Sequence, residues 1–486
     1  MPEARPVDPA AGPKAKSRAA ARQAVILVHG MGEQIPMDTI KGFVTSLSTS
    51  IDEDGQIQTA EIWSKPDSRT GSLELRRLTT RKSKKGGAFA NGVRTDFYEL
   101  YWADLTAGST VDQLVGWIRY LLFRPWSKVP VSVRPAWLVL CVLSFFASAL
   151  FMLSFIPEAC WRAWFPSWFS QSMAIGIAGF LGLGAQQLGT TTFGRVVKYT
   201  RADPVNIAAR AAVRERGLAL LRELHKRQGE EKYDRVIVVG HSLGSILAYD
   251  LLNYYWAERE QARAFVEGSD AFGKLAAVEA AARALHLGGS DIETKRSAFR
   301  VAQADLRRSM SEDAVDEDAR WLISDLVTFG SPLTHSEFLL ASSQDDLRQR
   351  QADRELPTCP PIIEALEEWR VAEAEKLALL PPGYKPQALM AYPNRNPGNI
   401  WSLHHAAVFA VVRWTNIFDQ SKFVLFGDVI SGPMRNAYGI GVRDENLADL
   451  DGQSFRFSHT RYWHAKQSAK RQALFRSVVN ILDEDS

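Results

Sequence analysis

Cysteine is scarce: Cys141, Cys160 and Cys359 are the only three in 486 residues, and none stands in a C-x-x-C spacing. This excludes a disulfide framework and a cysteine-built zinc site. Net charge is nearly absent as well, with 58 basic side chains against 55 acidic ones, so no chain-wide field marks a nucleic-acid binder. A mean hydropathy of −0.16 leaves no room for a many-span transporter. What remains is the balance of a globular protein, 46% hydrophobic and 23% charged, with a length worth roughly three domains at about 150 residues each. Residues 1–22 are rich in Ala, Pro and Arg and lack the apolar core of a secretory signal, so they read as a disordered tail.

Order is expected from Ala24-Val25-Ile26-Leu27-Val28, an aliphatic run stopped by His29-Gly30-Met31-Gly32. A short continuous run of this kind fits a strand buried on both faces of a parallel sheet. Strand-like pieces follow over 57–63, 72–78 and 97–102, and 23–110 forms the first part of the expected domain. The middle is different. Residues 136–156 carry no charge, and neither does 163–194 apart from its flanks. A hydrocarbon core of about 30 Å needs about 20 helical residues, so 111–202 is read as a membrane region with two transmembrane helices, near 136–156 and 167–188. Trp137, Trp161, Trp164 and Trp168 sit near the ends of these spans. Arg119, Arg124, Lys128 and Arg134 precede the pair and Arg195, Lys198 and Arg201 follow it, which by the positive-inside rule puts the flanking domain in the cytoplasm. Residues 203–486 form the second part of the domain, with a helical insertion near 259–320.

The chemistry centres on Val236-Ile237-Val238-Val239-Gly240-His241-Ser242-Leu243-Gly244, a buried strand running into Gly-x-Ser-x-Gly and then into a helical pattern. In a nucleophile elbow the serine occupies a strained strand-to-helix turn, and the flanking glycines leave room that side chains would fill. A serine hydroxyl is a weak nucleophile and needs a base, an orienting acid and an oxyanion hole. The Leu243 amide is one expected oxyanion donor. Met31, after the glycine-rich end of the first strand, supplies the other. For the base, His459 is preferred over His464, since it falls between a strand-like 454–457 and a terminal helix. His29, His404 and His405 read as structural. For the acid, Asp428, preceded by glycine and followed by apolar residues, is preferred over Asp419 at the end of the 411–418 strand.

The motifs His-Gly-Met-Gly, Gly-His-Ser-Leu-Gly-Ser, Thr-Phe-Gly-Ser-Pro (328–332) and His-Thr-Arg-Tyr-Trp (459–463) together resemble the α/β-hydrolase superfamily. The resemblance is to its intracellular lipase and esterase branch, such as DDHD-type phospholipases and bacterial membrane-anchored serine hydrolases, and covers 24–102 and 205–480. It implies a doubly wound, mostly parallel sheet and acyl transfer to water by Ser242, His459 and Asp428, without a metal or organic cofactor. The expected fold class is therefore α/β, with helical insertions and an inserted transmembrane hairpin. The expected function is a membrane-anchored hydrolase of carboxylic esters, lipid-derived because the hairpin would set the site beside acyl chains. An acyltransferase or thioesterase on the same triad, or an inactive membrane scaffold, are the alternatives. The expected partners are the acyl-ester substrate and the bilayer, with no nucleic acid.

Overall fold

The computed structural model describes residues 21–30, 35–51, 57–59, 62–71, 74–80, 93–106, 125–126, 129, 134–189, 207–226, 232–312, 319–362, 364–365, 388–393, 399–420, 427–428, 430–452, 458–463 and 468–479. Its frame is one 8-stranded sheet. In chain order the strands are β1 (Ala21–Val28), β2 (Ile62–Pro66), β3 (Arg76–Thr80), β4 (Val93–Leu100), β5 (Arg235–His241), β6 (Ile323–Phe329), β7 (Arg413–Phe418) and β8 (Arg443–Asn446). Across the sheet they lie in the order β8-β7-β6-β5-β1-β4-β3-β2. Every pairing from β8 to β4 is parallel, and β3 and β2 close the other edge antiparallel.

The aliphatic strands follow from burial on two faces, because successive side chains point to opposite sides. Ala24, Ile26, Val28, Val236, Val238 and Leu326 enter one apolar cluster, while Val25, Leu27, Ile237, Val239, Val327 and Phe329 enter the other. The second face is covered by α1 (Asp38–Ser48) and by the last described helix, Ala469–Val478, through Ile40, Phe43, Val44 and Phe475.

The six longest helices between them fall into two groups. α2 (Arg134–Leu153) and α3 (Gln171–Gly189) pack on each other. α4 (Ile207–His225), α5 (Leu243–Glu258), α6 (Asp270–His286) and α7 (Ile292–Glu312) supply the first face with side chains such as Leu221, Leu247, Val278 and Leu306. The terminal Ala469–Val478 helix is α8. β1 begins at Ala21, so ordered backbone reaches back into the last two residues assigned to the tail; residues 1–20 lie outside the described part.

The expectation of an inserted transmembrane hairpin is corrected. Among the described residues no helix is long and apolar enough to cross a membrane. This overturns the hairpin in the expected fold class, the two-span membrane region within 111–202, and the localisation built on it, a two-span anchor with the catalytic domain facing the cytoplasm. Part of the charge-free run is used for packing within the protein, while Phe145, Phe146 and Phe180 stay exposed. α2 packs along α3, Leu140 and Ala185 join the large core cluster of the sheet, and Ala174 and Ala178 are buried. α3 is also diluted by Gly176, Gly179, Gly182 and Gly184, which add helix surface with little apolar content. The turn between the pair is fixed by polar contacts, Trp161 Nε1 to the Phe169 carbonyl (2.7 Å) and Gln171 Nε2 to the Ile156 carbonyl (2.7 Å).

Candidate active site

Ser242 stands where β5 ends and α5 begins, with φ 52 and ψ −128. A side-chain-bearing residue at positive φ is strained, and the surroundings hold it there. The Ser242 amide donates to the Phe329 carbonyl of β6 (2.9 Å), and the Ser245 amide donates to the Ser242 carbonyl (2.9 Å). The flanking glycines are required by contact. A Cβ on Gly240 would lie 2.5 Å from Ser245 Cα, and one on Gly244 would lie 2.2 Å from the Val28 carbonyl oxygen and 2.4 Å from that of His29. Since these neighbours are backbone, Gly244→Ala forces α5 away from β1. It is expected to cost about 2–3 kcal/mol, in the range of an overpacked core, read as a lowered denaturant midpoint. A midpoint unchanged within error would contradict the tight α5–β1 approach.

The base arrives from the chain between β8 and α8. His459 Nε2 lies 2.8 Å from Ser242 Oγ, and His459 Nδ1 lies 3.0 Å from Asp428 Oδ2. The acid comes from the loop after β7, where the Asp428 amide donates to the Asp419 carbonyl (2.9 Å). The Ser458 amide donates to the Gly427 carbonyl (3.1 Å), tying the two loops together one residue from each functional side chain.

Asp428 is fully buried, and its carboxylate is well supplied with donors. Ile430 N reaches Oδ1 (2.9 Å), while Ser431 Oγ (2.8 Å) and Tyr462 OH (2.8 Å) reach Oδ2. Burial works to raise its pKa, but the His459 charge and the hydrogen bonds from His459, Ser431 and Tyr462 outweigh it and bring the pKa down to about 2. A carboxylate held ionised in a dry site is suited to fix an imidazole and to stabilise it when it takes a proton. Gly330, at φ 57, makes the approach possible: a Cβ there would sit 2.7 Å from Tyr462 Cε2 and 3.1 Å from Asp428 Oδ2. That is the structural use of the Thr-Phe-Gly-Ser-Pro motif.

The other sequence-chosen residues are placed as follows. Leu243 is the first residue of α5, so its amide has no acceptor within the helix and faces the turn that carries Ser242. Met31 lies outside the described residues, as does His464. The strand end preceding Met31 is beside the nucleophile, since Val28 pairs with Gly240 and a Cβ on Gly30 would lie 3.0 Å from Ser242 Cβ. Asp419 is buried at the end of β7, with its pKa raised chiefly by burial, and it is Asp428 that meets the imidazole.

His29 is bound into the scaffold. The Trp102 amide donates to its Nε2 (3.2 Å), so Nδ1 carries the proton and donates to the Gly30 carbonyl (2.6 Å). Burial lowers its pKa to about 4. His404 accepts from the Ala406 amide at Nδ1 (3.2 Å), again a structural contact.

Three contributors were not singled out from the sequence. Ser431 and Tyr462 serve Asp428, as described. His241 donates from Nε2 to the His459 carbonyl (3.0 Å), its ring stacked on the His459 ring with centroids 5.5 Å apart. Burial, then the charge of His459, lowers its pKa to about 3, so it stays neutral and does not compete for the proton. Only position hinted at these roles: Tyr462 falls three residues after His459 and His241 directly precedes Ser242. In comparisons with known proteins, the chain matches no described protein family, no curated protein and no solved structure.

Proposed function

We propose that this chain is a serine hydrolase of the α/β-hydrolase type that cleaves carboxylic esters. The observation that carries the reading is the continuous relay from Ser242 Oγ through His459 Nε2 and Nδ1 to Asp428 Oδ2, at 2.8 and 3.0 Å. Ser242 Oγ attacks the acyl carbonyl while its proton passes to His459 Nε2. Asp428, bonded to Nδ1, holds the imidazole in the tautomer that accepts there and stabilises the imidazolium. The negative charge on the former carbonyl oxygen is met by the Leu243 amide, helped by the N-terminal end of α5; Met31, the second donor expected from the sequence, lies outside the described residues. His459 returns the proton to the leaving alkoxide, and the carbonyl re-forms as an acyl-serine. Water repeats the sequence, giving its proton to His459 and releasing the acid as Ser242 takes that proton back.

The lipid preference rested on the two spans and falls with them, so the reading names the ester bond and no chain length. Its test is covalent labelling by a fluorophosphonate, which reacts with activated serines. Wild type is expected to label stoichiometrically and Ser242→Ala not at all. Failure of folded wild type to label would overturn the reading.

A further inference from the structure

The strands that end at the candidate active site begin, at their opposite ends, among arginines. β7 opens with Arg413, whose Nε (2.8 Å) and Nη2 (3.1 Å) donate to Asp325 on β6, its partner in register. On the other side Asp325 pairs with Ile237 of β5, two residues after Arg235, which is buried and donates to Gln23 Oε1 from Nε (3.1 Å) and Nη2 (2.5 Å).

α7 packs against β6 and β7 and adds two more guanidinium groups to this end. Arg300 donates to the Trp414 carbonyl (2.9 Å) and to Thr415 Oγ1 (3.0 Å). Arg307, seven residues and two turns further along the helix, is 8% exposed, and its buried Nη1 has no hydrogen-bond partner among the described residues. The charges acting most strongly on Arg307 are the guanidiniums of Arg235 and Arg413, opposed by the carboxylate of Asp325. Burial first, and this like charge second, lower its pKa to about 9, and Arg300 is lowered to about 10 in the same way.

A buried cation with an unpartnered donor, facing two like charges against the single carboxylate of Asp325, is costly, and native proteins pair such groups or bind an ion with them. We propose that Arg307, with Arg413 near it and Arg300 two turns away on the same helix, binds a compact phosphate-bearing anion at the N-terminal ends of β5, β6 and β7. A planar guanidinium offers paired N–H donors that match phosphate oxygens. Several like charges around one unpartnered nitrogen call for a ligand carrying more than one negative charge. Near-complete burial suits a small soluble phosphate rather than a polymer or a lipid surface. Because the site lies at the other end of the sheet from Ser242, it does not depend on the hydrolase reading.

The probe is inorganic phosphate added to the whole chain, with sodium chloride matched for ionic strength and Tm as the readout. Wild type and Ser242→Ala are both expected to show a saturable rise of several degrees that chloride does not produce. Arg307→Met is expected to lose that rise, and to start from a higher Tm in phosphate-free buffer because an unpaired buried charge has gone. Should Arg307→Met fail to fold, Arg300→Gln is expected to weaken phosphate binding at least ten-fold by calorimetry, and unchanged affinity would overturn the proposal. So would a wild type indifferent to phosphate, or equal rises in wild type and Arg307→Met.

Discussion

Ser242→Ala is expected to lower kcat on a short-chain p-nitrophenyl ester by about a million-fold, His459→Ala by a similar factor, and the double variant by no more than either alone. The reason is that the two side chains act as one unit. Without the imidazole 2.8 Å away, the Ser242 hydroxyl keeps its proton and attacks poorly; without the hydroxyl, the imidazole has nothing to activate. Their losses therefore do not multiply. A residual rate of roughly a thousand-fold over water is expected in every variant, from the amide donors and from binding. Neither substitution should unfold the chain. Ser242 is partly accessible, and alanine keeps the elbow's backbone bonds to Phe329 and Ser245. Losses that multiply, or a Ser242→Ala variant within ten-fold of wild type, would mean that the bond between these two residues is not the working one.

How much of this could be read from the sequence depends on whether the signal is local. The elbow's signal is local, since strand, glycine, serine, glycine and helix occupy consecutive positions and the turn itself excludes a Cβ at Gly240, although the backbone that excludes one at Gly244 belongs to the distant β1. His459 is legible through chain order, because the base of this type of site follows the last strands. The acid is less so. Asp419 directly follows β7, where a strand-end rule would put the carboxylate, yet the chain continues to Asp428 before an oxygen reaches Nδ1. What selects Asp428 is a set of donors, Ile430, Ser431 and Tyr462, of which Tyr462 is 34 residues away. The buried arginines at the far end of the sheet were illegible for the same reason, since α7 and the strand starts are brought together only by the tertiary fold.

The hairpin shows the opposite failure. A run without charge reveals that a segment is apolar but not what its side chains will meet. Leu140 and Ala185 are taken into the core cluster, while Phe145, Phe146 and Phe180 remain exposed. Hydropathy counts both kinds alike.

Asp428→Asn is expected to lower kcat by about ten-thousand-fold while leaving KM nearly unchanged. A carboxylate only accepts, so Asp428 fixes the proton of His459 on Nδ1 and leaves Nε2 free to take the serine proton. An amide nitrogen in its place donates to Nδ1, the proton moves to Nε2, and the imidazole faces Ser242 with the wrong atom. The same residue carries a pH signature. Its folded pKa of about 2 lies below the ordinary value of 3.8, so its ionised form favours the fold. The contribution is complete above about pH 4 and is lost as pH falls from there through about 2, amounting to about 2 kcal/mol. Wild type should therefore lose stability over that acid window more steeply than Asp428→Asn, whose side chain does not titrate. Denaturant unfolding at pH 6, 4, 3 and 2 measures the difference. Parallel curves for the two proteins would mean that Asp428 is not held ionised by His459, Ser431 and Tyr462, and a kcat within ten-fold of wild type would remove it from the relay.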